Sequence, residues 1–224
     1  MDSPLRHLVG RTARLPMRSQ AQQPAIEPLA PAGLPAAVVA GSGCGFTPPL
    51  AAEHHRVLAT VLCLDVVGST ERAATLGDDL WLDQLAAYHA VARRQLRLYR
   101  GALLSALGDG VWAAFAMPID AIRCAMALVE SLHLLGIPVR AGVHTGECQW
   151  LDGRADGLVM HICARVTAKA GPGEILVTAT VKDLVAGAPL AFQDRDRHEL
   201  RGVPGSWQLF TVSGYRAASP RWTA

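Results

Sequence analysis

An aspartate closes an apolar run in VLCLDVVGST at 61–70, where Asp65 ends a strand-like stretch that gives way to Gly68, Ser69 and Thr70. Residues 57–67 are otherwise almost all apolar or β-branched, which reads as a strand buried on both faces. Unpaired carboxylates avoid such places, and one reading of Asp65 is a strand-end residue that caps the next turn through local hydrogen bonds. A second acid, Asp109, stands in a Gly-Asp-Gly between the apolar runs 102–107 and 111–116, the pattern of a hairpin with its acid at the tip. The two acids are 44 residues apart and converge if their strands are neighbours in one sheet. The chemistry then open to the chain is that of paired carboxylate oxygens. His161 and Arg165, four residues apart in a helical stretch, put an imidazole and a guanidinium on one helix face.

The elements that must position these residues alternate from about residue 56 onward. A strand at 57–66 leads into a helical region, 70–99, with apolar residues at three- and four-residue spacing. Hairpin strands at 102–107 and 111–116 follow, then a helix at 119–135 that Gly136 and Pro138 end. Next come a strand at 138–147, a polar turn at 151–156, a helix at 157–170 closed by Gly-Pro-Gly-Glu, a strand at 174–178, a short helix at 180–186 and three short strands to about 212. The pattern is an α+β domain with one main sheet and helices on one face.

Composition bounds the rest. The chain has 224 residues, half of them hydrophobic, enough for one domain with a real core plus a tail. Its formal net charge of +2 gives no sign of a general nucleic-acid binder. Cysteines 44, 63, 124, 148 and 163 are odd in number and form no CxxC, as expected of reduced core residues in a cytoplasmic protein without a zinc site. No apolar run reaches the roughly 18 residues of a membrane span, and prolines interrupt the best targeting candidate, 29–43. Residues 1–52 hold eight of the fourteen prolines and four arginines against two acids, which reads as a disordered arm; its GSGCG lacks the flanking strand and helix of a phosphate loop. Residues 214–224 read as a C-terminal tail. In HTGE, His144 and Glu147 point to opposite faces of a strand, so structural roles suit them better than a shared metal.

Six ordered blocks carry a resemblance: RVLATVLCLDVVGSTERAATLGD, LGDGVWAAF, AIRCAMAL, VRAGVHTGE, HICARVTAKAGPGEILVTATVKDLVAG and HELRGVPGSWQLFTV. Together they resemble the catalytic domain of class III nucleotidyl cyclases, most closely actinobacterial adenylate cyclases, over roughly 56–213. The resemblance implies a ferredoxin-like βαββαβ core with added C-terminal strands and a homodimer with active sites at its interface. It implies conversion of ATP to 3′,5′-cyclic AMP and pyrophosphate with two Mg²⁺ or Mn²⁺ ions per site, in intracellular signalling. By match to the family pattern, Asp65, Val66 and Asp109 hold metal, a role that suits hard oxygen ligands. Gly68, Ser69, Thr70, Arg140 and Arg201 meet phosphates, Arg165 stabilises charge at the α-phosphate, and His161 stands where an Asn usually orients the ribose.

Three positions depart from the pattern, His161 and two that would face the base. Ser105 replaces the lysine that reads adenine, and Arg154 replaces its partner Asp or Thr; Ser105 is shorter than Lys, and Arg154 offers only donors where the adenine amino group needs an acceptor. Asp156 could substitute if the loop shifts by two residues. The leading expectation is a cyclase with altered base selection. The other is a pseudo-cyclase that dimerises or binds nucleotide without turnover.

Overall fold

A computed structural model describes residues 55–151 and 154–215. The chain order is β1 (His55–Val66), α1 (Ser69–Leu76), α2 (Asp78–Leu98), β2 (Ala102–Leu107), β3 (Gly110–Phe115), α3 (Pro118–Leu134), β4 (Val139–Leu151), β5 (Arg154–Asp156), α4 (Leu158–Lys169), β6 (Ile175–Thr178), α5 (Ala179–Leu184), β7 (Leu190–Glu199) and β8 (Ser206–Tyr215). One sheet runs in the order β2-β3-β1-β4-β6-β8-β7, with β5 paired to β4 off that path. Its first four strands and the helices between them form the expected βαββαβ ferredoxin-like unit, and β6 to β8 are the added strands.

The period of two along β1 explains why the strand is apolar throughout. Leu62, Leu64 and Val66 join a core with Tyr88 and Leu96 of α2 and Ile122, Leu128 and Leu132 of α3. The alternate residues Ala59, Val61 and Cys63 pack instead with Val159 and Cys163 of α4. Helices therefore cover both faces of the sheet, not the single face that the alternation of elements suggests, because β1 buries both of its sides. On the outer side of α4, Ile162 and Val166 pack with Leu176, Leu200 and Leu209. Burying each such side chain stabilises the fold by about 1.5–3 kcal/mol.

Three boundaries differ from the sequence reading. Gly77, at φ 77°, ends α1 and starts α2, so the helical region 70–99 is two helices. The turn at 151–156 holds a short hairpin, with Gln149 opposite Asp156 and Trp150 opposite Ala155; a three-residue strand is too short for periodicity to reveal. The tail holds two ten-residue strands, not three short ones. QDRDRHE in β7 is too charged to read as a strand, yet β7 is the sheet edge, where charge and a bulge at Asp194/Arg197 discourage pairing with another chain.

Candidate active site at the end of β1

The register of β1 answers what Asp65 is for. Asp65 lies opposite Gly110 of β3 on one side and Arg140 of β4 on the other. Arg140 donates from Nε at 2.9 Å and from a terminal nitrogen at 2.6 Å, both to Oδ2 of Asp65. The strands of the two acids are neighbours as expected, and the Val66 N–H donates to the carbonyl of Asp109 at 3.3 Å. Gly108, at φ 58°, makes the turn that carries Asp109.

The donor set fits a divalent cation. Among the described residues, Asp65 Oδ1 and the Asp109 carboxylate have no hydrogen-bond partner, so two acids at one sheet end keep oxygens open, with one guanidinium paired to Asp65. No cluster of three or more His, Cys, Asp or Glu that could hold an ion occurs among the described residues. A resident ion would thus need ligands from substrate or water, the usual arrangement for Mg²⁺. Cys63, two residues before Asp65 on the same face, is not a competing ligand: burial, with the Asp65 charge adding to it, pushes its thiol up to about 12.

Next to the acids, Gly68 takes the left-handed conformation (φ 64°) and caps α1, leaving the N–H groups of Ser69 and Thr70 at the helix start. Glu71 lies in that first turn, and a β-carbon at Gly68 would come 3.6 Å from its Oε2, so a carboxylate stands beside those N–H groups.

The other expected residues form a second group. His161 and Arg165 are exposed on α4, which packs on the sheet face that also carries Cys63, Asp65 and Arg140. Ser105 is exposed on edge strand β2, in the cross-strand row Ser105, Trp112, Cys63, Gly142. Asp156 ends β5, and its Oδ1 accepts from the Gly157 N–H at 2.7 Å. Arg154 opens β5; its side chain lies outside the described residues. Arg201 is exposed in the turn between β7 and β8, three strands from β1. Asp65 and Arg140 thus pair within one chain with Asp109 at the end of the neighbouring hairpin, whereas Ser105, Asp156, His161, Arg165 and Arg201 are spread over other elements.

Cys63, Cys124, Cys148 and Cys163 are buried free thiols, as expected, and Cys44 lies outside the described residues. His144 is buried with Nδ1 2.9 Å from the Thr178 hydroxyl, and Glu147 pairs with Arg56 at the surface at 3.4 Å. Sequence reasoning missed Tyr88 and His89 on α2. A Tyr in the apolar stripe Tyr88, Ala92, Leu96 is the one signal available, since a buried hydroxyl needs a partner.

No protein-family profile matches the chain. Among solved structures, the adenylyl cyclase CyaB from P. aeruginosa superposes with a TM-score of 0.68 at 20% identity, over 76% of this chain and 98% of that one. The guanylyl cyclase Cya2 gives 0.67 at 17% identity, over 76% and 97%. In sequence the chain is 25% identical over 168 residues to "Putative adenylate cyclase 3" of Rhizobium meliloti, which is 71% of this chain and 29% of that protein. It is 38% identical over 100 residues to an uncharacterized protein of Mycobacterium tuberculosis, 43% of this chain and 35% of that one. The chain spans only about a fifth to two fifths of the length of the curated relatives it matches. Among the described residues no helix is long and apolar enough to cross a membrane.

Proposed function

We propose that this chain, whose fold is that of the class III nucleotidyl cyclase domains, converts ATP to 3′,5′-cyclic AMP and pyrophosphate as a homodimer in the cytoplasm. One observation carries the reading: neighbouring strands bring Asp65, Asp109 and Arg140 to one sheet end, with two carboxylates still open to a cation. Two Mg²⁺ or Mn²⁺ ions, when bound, would offset phosphate charge and favour ionisation of the ribose 3′-hydroxyl. Asp65, Asp109 and the Val66 main chain would hold them. Arg140, the N–H groups of Ser69 and Thr70 after Gly68, and Arg201 from the partner would hold the β- and γ-phosphates. The partner's Arg165 would offset charge developing at the α-phosphate, and its His161 would orient the ribose. Ser105, Arg154 and Asp156 would face the base.

Ser105 and Arg154 favour a second reading, a nucleotide-binding dimer without turnover. Mixing separates a shared site from a site within one chain. Asp65→Ala and Arg165→Ala proteins, each inactive alone, should together regain one working site per heterodimer. If heterodimers form and stay inactive while the wild type turns over, the division of the site between chains is wrong.

A further inference from the structure

Both acids of the candidate cation site are approached from behind by consecutive residues of one helix. Tyr88 is fully buried, and its hydroxyl donates to the carbonyl of Leu64, the residue before Asp65, at 3.4 Å. His89 Nε2 lies 2.8 Å from the carbonyl of Gly108, the residue before Asp109. A carbonyl is acceptor only, so the His89 contact has N–H as donor. The two rings pack edge to face, 5.2 Å between centroids. One rigid element, α2, is thus tied to the main chain immediately before each carboxylate.

We infer that Tyr88 and His89 are positioning residues that fix the spacing of the Asp65 and Asp109 carboxylates and so set the affinity of their divalent-cation site. This rests on the cyclase reading for the site but assigns two residues outside it. Three further observations support the role. α2 is anchored to the core through Ala92 and Leu96 on the same stripe as Tyr88, so its polar tips have little freedom to follow a moving turn. Gly108 itself is exposed and takes a left-handed conformation, and the strand pairing at Gly110 and the Val66 N–H on the Asp109 carbonyl hold the far side of the turn, so His89 supplies the side-chain tie on its near side. Burial first, and then the charges of Cys63, Asp65 and Asp109, raise the Tyr88 hydroxyl above its ordinary range, so it remains a neutral donor close to both acids.

The test uses the full chain, Mn²⁺ and 3′-deoxy-ATP, which lacks the attacking hydroxyl, so that the readout is binding and not turnover. Free Mn²⁺ followed by electron paramagnetic resonance gives the half-saturating concentration, and thermal melting of each variant reports folding. Tyr88→Phe keeps the buried ring and His89→Ala removes the donor; each should weaken Mn²⁺ binding roughly tenfold, the scale on which groups that orient metal ligands act. His89→Gln, which restores an N–H at similar reach, should return binding to within about twofold of wild type, a rescue that a packing role would not give. Folded variants that bind Mn²⁺ like the wild type overturn the positioning role alone. Wild-type binding no tighter than that of Asp65→Ala overturns the cation site and the positioning role with it.

Discussion

Arg140 places both of its hydrogen bonds on a single oxygen of Asp65, Oδ2, and leaves Oδ1 open. The guanidinium therefore holds the acid in place without closing it. It also stands where a cation bound to Asp65 would feel its charge.

Removing that guanidinium should separate cation binding from turnover. Arg140→Ala leaves the Asp65 carboxylate without the guanidinium that pairs with it. Mn²⁺ binding without nucleotide should tighten several-fold, while kcat/KM for ATP should fall by about 10²-fold, the scale on which lost transition-state contacts act. Titration by electron paramagnetic resonance and steady-state kinetics read the two effects. A parallel loss of both would mean that Arg140 only supports the Asp65 side chain.

Gly142 is where α4 touches the sheet. A β-carbon there would lie 2.4 Å from Thr167 Oγ1, 2.6 Å from the Thr167 main-chain nitrogen and 3.0 Å from the Cys163 carbonyl. Main-chain atoms cannot turn aside as a flexible side chain can, so Gly142→Ala must push α4 outward. The expected cost is about 1–3 kcal/mol by chemical denaturation. Because His161 and Arg165 ride on the same helix, catalytic rate should fall as well in molecules that remain folded.

His144 should make stability depend on pH. Burial lowers its pKa from the ordinary 6.5 to about 4. The unfolded chain therefore takes up a proton between those values that the folded chain refuses, and stability falls as pH drops from 6.5 to about 4, by up to about 3 kcal/mol. Glu174 acts lower. Burial alone would raise its carboxyl, but the Gly171 N–H, the Thr211 hydroxyl and Arg195 together hold it below its usual value. Its contribution is present above 4.5 and is lost only as pH falls through that depressed value. Melting curves of wild type and His144→Gln should diverge across the upper window and run parallel below it. Equal slopes in the upper window would remove His144 as the cause.

Base selection should respond to Ser105 and Arg154 together. Two lost hydrogen bonds at about 1–1.5 kcal/mol each correspond to roughly 10²-fold in discrimination between ATP and GTP. Ser105→Lys with Arg154→Asp should raise kcat/KM for ATP more than for GTP. No gain for ATP in the double variant would move attention to Asp156, two residues along the same strand.

Much of the site was legible because acids at strand ends are conspicuous: Asp65 and Asp109 each interrupt apolar runs, and the strands that carry them do pair. The strands and helices of the core were legible in their periods of two and of three to four, while their ferredoxin-like order came only with the family resemblance. What stayed hidden depends on pairing across the chain. The direct opposition of Arg140 and Asp65 is a matter of register, and no spacing in sequence encodes it. The edge strand β7 was obscured by the charges that protect it. Tyr88 and His89 read as ordinary helix residues because their partners are main-chain carbonyls, which every residue has.

The most direct test of the central claim is the product itself. The full chain with ATP and Mn²⁺ should yield 3′,5′-cyclic AMP and pyrophosphate in equal amounts, identified by mass spectrometry and absent from Asp65→Ala and Asp109→Asn proteins. A wild-type protein that binds ATP yet forms no cyclic nucleotide above those controls would contradict the account and leave a nucleotide-binding dimer in its place.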